Sequence, residues 1–272
     1  SKFRQFIFDW IIAMINGFDG NVQKSIDVLT RDIFSSGMYT TAQGMANVVT
    51  PIALTIITIC FLIEFLKITI KLDVLKWEFG LRVFFKLVFA KVAIDVSFRL
   101  LIAIYATVTE WISAAGTTGG TLGSSVGTAL ATIISDMTWY EALGLVCTMG
   151  ISFLAVWLAG ITVIVIAYAR MFELLVYVSI TPLPCAFLPM EDGAGSRIPR
   201  KFVLTFASVC LQGLFIIISI KLYGAICEST IIPAVQSSSA LADISFNMLM
   251  GALILVMAVV KSGSWAKGVL DS

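Results

Sequence analysis

The chain is 272 residues long, 59% hydrophobic and 13% charged, with a mean hydropathy of +0.99, against roughly 25% charged residues in soluble domains. Its 18 Lys and Arg balance 17 Asp and Glu, so the net charge of +1 supplies no broad field to draw in nucleic acid or an acidic substrate. Histidine is absent, which excludes a Ser/His/Asp hydrolase and a His-based zinc site.

Five cysteines lie in or at the end of apolar runs without CxxC spacing and read as packing residues. No HExxH, GxSxG or close Asp pair occurs in any span, so neither an enzyme nor a bound metal or cofactor is expected. Between Gln43 and Lys267 lie roughly five apolar runs, each long enough to cross about 30 Å of hydrocarbon. The expected fold is all-α, a polytopic transmembrane helix bundle. The first residue is Ser1 rather than Met, as in a trimmed or processed chain, and no cleavable signal peptide is recognisable.

From Phe3 to Ile15 the residues Phe3, Phe6, Ile7, Trp10, Ile11, Met14 and Ile15 recur at helical spacing, with Arg4, Gln5, Asp9 and Asn16 off the stripe. This predicts an amphipathic helix too short and too charged to span. It either lies in the headgroup plane, a depth that suits Trp10, or packs against the bundle. Gly17 and Gly20 predict a break over Asn16 to Asn21, with a second mixed helix over Val22 to Phe34. Residues 1–42 are thus read as an extramembrane N-terminal region and residues 43–268 as the transmembrane domain. The first crossing covers about Met45 to Leu66, with Glu64 near enough to its end to reach the interface. The basic excess of Lys67, Lys71, Lys76 and Arg82 over Asp73 and Glu78 places the next segment in the cytoplasm.

In the second long segment, about Leu81 to Trp111, Arg82, Lys86, Lys91, Asp95 and Arg99 recur every four or five residues, which predicts one polar stripe. Arg82 and Lys86 are expected to snorkel at the cytoplasmic surface. Lys91, Asp95 and Arg99 are expected to form an intramembrane charge network facing other helices, a partner subunit or a wet cavity, with Asp95 flanked by a cation one turn to either side. Residues 113–138 then turn to Gly, Ser, Thr and Ala, and the absence of Lys and Arg puts them outside. Gly119, Gly123 and Gly127 repeat at the spacing that lets two helices approach closely, and a plain Gly/Ser linker fits equally well.

The stretch from about Leu143 to Leu188 is too long for one crossing. It holds Arg170 and Glu173, spaced to pair with each other on a helix, and a break at Pro182 and Pro184, whose freed carbonyls must be sheltered by protein or water. One long tilted helix to about Ala169, followed by a re-entrant or interfacial piece bearing the prolines, reconciles the outer Gly-rich segment with the inner loop from Pro189 to Lys201. Phe202 to Cys227 returns outward, Glu228 to Ile244 stays there, and the last span, about Phe246 to Val260, ends inside at Lys261 and Lys267. The topology is N-terminus out and C-terminus in, with about five crossings, or six if the loop charges are too few to decide.

The amphipathic N-terminus, the basic loop after the first crossing and the run ARMFELLVYVSITPLPCAFLP, followed by a charged loop and an apolar helix, resemble TrbL and the sixth VirB subunit. These are polytopic inner-membrane components of type IV secretion and conjugation machines, and the flavour is that of conjugative elements of Gram-positive bacteria. The resemblance covers most of the chain. It implies a non-enzymatic channel subunit in the bacterial cytoplasmic membrane, surrounded by lipid, assembled with its own copies in a homo-oligomer, and working beside other membrane subunits and an ATPase on a transient DNA–relaxase substrate. The family's extended soluble regions have no counterpart in these residues. The alternative from another class is a secondary transporter or permease subunit for a small solute, because broken helices and intramembrane ion pairs also build substrate sites. Against it, the Pro182 break has no partner in the other half of the sequence.

The topology has a direct check. Thiol labelling of intact cells is expected to mark Ser124→Cys and not Ser196→Cys, whereas labelling of Ser196→Cys from outside contradicts the five-crossing arrangement.

Overall fold

A computed structural model describes residues 2–35, 37–70, 77–117, 139–190, 194–236 and 241–270. Among them the regular elements are all helical: α1 (Lys2–Thr30), a 3-10 turn (Ile33–Ser35), α2 (Gly37–Ile70), α3 (Trp77–Thr117), α4 (Trp139–Ile180), the short α5 (Pro182–Cys185), α6 (Ala194–Gln236) and α7 (Leu241–Leu270). Gly119, Gly123 and Gly127 lie outside the described residues, as do Lys71, Asp73 and Lys76 of the basic loop and Glu191, Asp192 and Gly193 of the later one.

Among the described residues four helical stretches are long and apolar enough to cross a membrane: Gly37–Lys67, Met149–Ile180, Arg197–Thr230 and Ser245–Leu270. At 41 residues α3 is about 60 Å long, twice the hydrocarbon thickness. It carries Lys91, Asp95 and Arg99 near its middle and is not among the four.

The surface of α2 shows which solvent the sequence is built for. Ala42, Ala46, Ala53, Ile57, Cys60 and Glu64 form its buried stripe, while Val48, Ile52, Ile59, Leu62, Phe65 and Leu66 are exposed. Small and polar side chains face protein and bulky apolar ones face out, the reverse of a water-soluble helix. The hydroxyls obey the same constraint. Thr50, Thr55 and Thr58 each donate to the carbonyl four residues back, at 2.9–3.0 Å, so none needs water. Pro51 sits inside α2, and the Thr55 bond goes to its carbonyl.

Contacts gather the chain into two compact units. The first joins Ser1–Arg31, Glu110–Arg170 and Gln212–Ala266; the second joins Asp32–Thr109, Met171–Leu211 and Lys267–Ser272.

In the first unit α1 is one unbroken helix through Gly17 and Gly20, not the two helices that those glycines suggested. Ile11, Ile15, Phe18, Val22, Val28 and Leu29 line its buried face. Packing explains the continuity at Gly17, where an added Cβ would touch the Trp157 ring at 3.4 Å, so this glycine serves a helix contact. On α4, a Cβ at Gly160 would lie 3.0 Å from Cδ2 and 3.3 Å from Cα of Phe18, which fixes the two backbones in close approach. Phe18 also meets Tyr223 of α6 edge-on, with ring centroids 6.0 Å apart. Between α4 and α7 the Ser152 hydroxyl donates to the Ser245 carbonyl at 2.8 Å and lies 2.7 Å from the Ser245 hydroxyl, a buried polar clasp between two apolar helices.

In the second unit Asp32 caps the turn after α1, its carboxylate accepting the Phe34 N–H at 3.1 Å. Phe34 is then held edge-on by Tyr39 and by Tyr105 of α3, at 5.0 and 4.9 Å. Tyr177 of α4 meets Phe202 and Phe206 of α6 in the same manner.

Replacing Gly160 with Leu is expected to lower the thermal stability of the detergent-solubilised chain, by about 1–3 kcal/mol, through overpacking against Phe18. Gly20→Ala meets nothing within 4 Å and is expected to be neutral or slightly stabilising. A thermal-unfolding series on the two variants checks the contrast.

Candidate functional site

The proline-broken segment is the most unusual piece of backbone. The α4 helix continues to Ile180, eleven residues past the end at about Ala169 that the sequence suggested, so Arg170 and Glu173 lie within it. The break itself falls where the prolines place it. Pro182 and Pro184 lack the N–H groups that would continue the helix, and Thr181 meets two carbonyls of the turn before them. Val178 accepts the Thr181 N–H at 3.4 Å, and Tyr177 accepts the Thr181 hydroxyl at 2.7 Å. The chain then winds in i→i+3 steps: Ala186 N–H to Leu183, Phe187 to Pro184, Leu188 to Cys185 and Met190 to Phe187, all at 3.1–3.2 Å.

Irregular backbone of this kind is tolerated at membrane depth only under protein cover. Here Thr181, Pro182, Pro184, Ala186 and Pro189 are buried. Ala186 joins Ala53 and Ile57 of α2 and Ala90 and Ile94 of α3 in one core, with Cys185 and Leu188 packed against it. Three alanines from three elements keep that contact thin, which brings the turn up against both helices. Beside it on α3, the Ser97 hydroxyl donates to the Ile94 carbonyl of its own helix at 2.6 Å.

Arg170 and Glu173 both lie on α4, Arg170 in the first unit and Glu173 in the second. Arg170 is only 3% exposed and its guanidinium fills the place a Cβ would take at Gly213 of α6. Glycine is needed there because any larger residue would displace the guanidinium. Arg170 has interactions of its own in that position, while Glu173 is exposed. A glycine inside an apolar helix was the signal for this contact, and it becomes readable only once the facing residue is known.

Along α3 the expected stripe divides in two. Lys91, Asp95 and Arg99 share one exposed face, stepping one turn at a time, and among the described residues no ion pair within 4 Å joins them to one another. Lys86 does not belong to that face: the nine residues from Lys86 to Asp95 make about two and a half turns, which puts the two on opposite sides. Lys86 is half-buried and, with Phe85, Phe89 and Leu188, lines a groove of about 350 Å³. Glu64 also departs from its expected place. It turns inward, 6% exposed, and pairs with Lys67 at 3.5 Å rather than reaching for the surface.

A family model described as TrbL/VirB6 plasmid conjugal transfer like protein matches residues 20–182, well over half of the chain. The match takes in the α3 charges, Arg170 and Glu173, and ends at the first proline of the break. No curated protein and no solved structure matches the chain. Matched over that span, and with four membrane-length apolar helices among its described residues, the chain belongs to the TrbL/VirB6 plasmid conjugal transfer-like family.

Proposed function

We propose that the chain is a membrane-embedded channel subunit of a conjugative type IV secretion machine, a non-enzymatic part of the passage that carries a DNA–relaxase substrate across the bacterial cytoplasmic membrane. The observation that supports this most directly is the exposed Lys91, Asp95 and Arg99 face on a long, mostly apolar helix. Ionised groups facing acyl chains cost several kcal/mol each, so in the membrane this face is covered by polypeptide or by confined water. Copies of the same chain in a homo-oligomer, together with other secretion subunits, supply the cover, and an ATPase supplies the driving force.

In this reading Arg170 and Glu173 extend the charge network, Pro182 and Pro184 turn the chain back before it leaves the membrane, and Gly119, Gly123 and Gly127 pack helices in the outer segment at 113–138. Residues 43–268 form the transmembrane domain, and of the two places open to the 1–42 region the packing of Phe18 against Gly160 and Tyr223 supports the one against the bundle. With α3 added to the four apolar helices the chain crosses five times, N-terminus out and C-terminus in. The exposed Arg197, Arg200 and Lys201 at the start of α6, and Lys261 and Lys267 near the end of α7, suit cytoplasmic ends.

Loss of the gene is expected to abolish DNA transfer, and the wild-type chain to restore it and co-purify with an ATPase and a single-span membrane partner. Asp95→Asn, and Lys91→Gln combined with Arg99→Gln, are expected to lower transfer by about tenfold or more, equivalent to roughly 1.4 kcal/mol, at unchanged membrane abundance. Lys201→Gln, away from that face, leaves transfer near wild type. Full transfer with all three charges neutralised, or solute uptake by the purified chain alone in vesicles, contradicts the reading.

A further inference from the structure

The groove lined by Phe85, Lys86, Phe89 and Leu188 has a different character from the charged face on the other side of α3. Its walls are two exposed phenylalanines, one turn apart on α3, and Leu188 from the turn that follows the proline break. Its cation is Lys86. Arg197, Arg200 and Lys201 stand exposed at the start of α6, the next long helix in the sequence after Leu188.

An apolar groove with a lysine in its lining is complementary to an amphiphile carrying an anionic head. We propose that this groove is a site for an anionic phospholipid of the cytoplasmic leaflet, with an acyl chain against Phe85, Phe89 and Leu188 and the headgroup phosphate at Lys86. Basic pockets beside membrane helices on the cytoplasmic side recognise such headgroups by charge, and the long stem of Lys86 runs along apolar surface while its head meets the phosphate. Because Leu188 belongs to the proline-broken turn, a lipid seated here ties that turn to α3 and couples its packing to the lipid composition of the membrane. The site requires only that the chain lie in a membrane with this end in the cytoplasm; it stands or falls independently of the substrate carried by the machine.

The test is native mass spectrometry of the purified full-length chain in detergent, titrated with dioleoyl phosphatidylglycerol or dioleoyl phosphatidylcholine. Tight binding of one phosphatidylglycerol in preference to phosphatidylcholine is expected. Lys86→Gln is expected to weaken it about fivefold, the effect of one basic group near an anionic headgroup, while Lys86→Arg retains it. Phe89→Ala is expected to weaken both lipids, which reports the acyl-chain wall. Thermal unfolding and gel-filtration profiles identify variants that fail to fold, and Lys86→Arg keeps the comparison decisive if Lys86→Gln is among them. Equal affinity for the two lipids, no effect of Lys86→Gln in a folded chain, or displacement by millimolar inorganic phosphate overturns the proposal. So does a crosslinker at Phe85 that captures a partner polypeptide and no lipid.

Discussion

The fold rests on a reversed distribution of side chains, with small and polar groups turned toward protein and bulky apolar ones turned out. On α2 the buried stripe holds three alanines, Cys60 and Glu64, while leucines, isoleucines and Phe65 look outward. Burial of apolar area cannot hold such a helix in place when its outer surroundings are as apolar as its side chains; close packing and internal hydrogen bonds must do so. The contacts have that form: Gly160 against Phe18, Ser152 with Ser245, Gly213 under Arg170, and a thin alanine layer under the proline break. Each demands a small residue or a satisfied polar group at a defined position.

The same constraint makes the broken segment intelligible. Two prolines within three residues would leave costly orphan carbonyls in hydrocarbon. Instead, Thr181 covers two carbonyls of the preceding turn and four i→i+3 bonds, interrupted only at Pro189, carry the chain to Met190. Ala53, Ala90 and Ala186 then admit the turn between α2 and α3. On α3 the rule is broken in one place, the exposed Lys91, Asp95 and Arg99 face, and the departure marks a surface that protein or water must cover.

Helical class and the four long apolar helices among the described residues were legible in the sequence because runs of that length and composition have few other solutions in a bilayer. The position of the break was legible because proline acts locally, through its missing N–H. Features set by a facing residue were not. Gly17 looks like a helix stop and is a contact for Trp157, offset by tertiary packing that no local pattern records. Gly160 and Gly213 are unremarkable in sequence and decisive in packing. Glu64 sits near the end of its run, yet points inward to pair with Lys67, a choice made by helix rotation. Even spacing joined Lys86 to the Asp95 stripe, whereas steps of five residues carry the chain around the helix, and only the rotation separates the two faces.

The central claim is that the charged face of α3 is covered by polypeptide in the working assembly. Photocrosslinking from Val92, exposed beside Lys91 and three residues before Asp95, tests it in cells that carry the complete transfer machinery. Adducts to a second copy or to another membrane subunit, lost when the remaining machinery is deleted or the chain is kept monomeric, are the predicted result. Adducts to lipid alone in transfer-competent cells would contradict it.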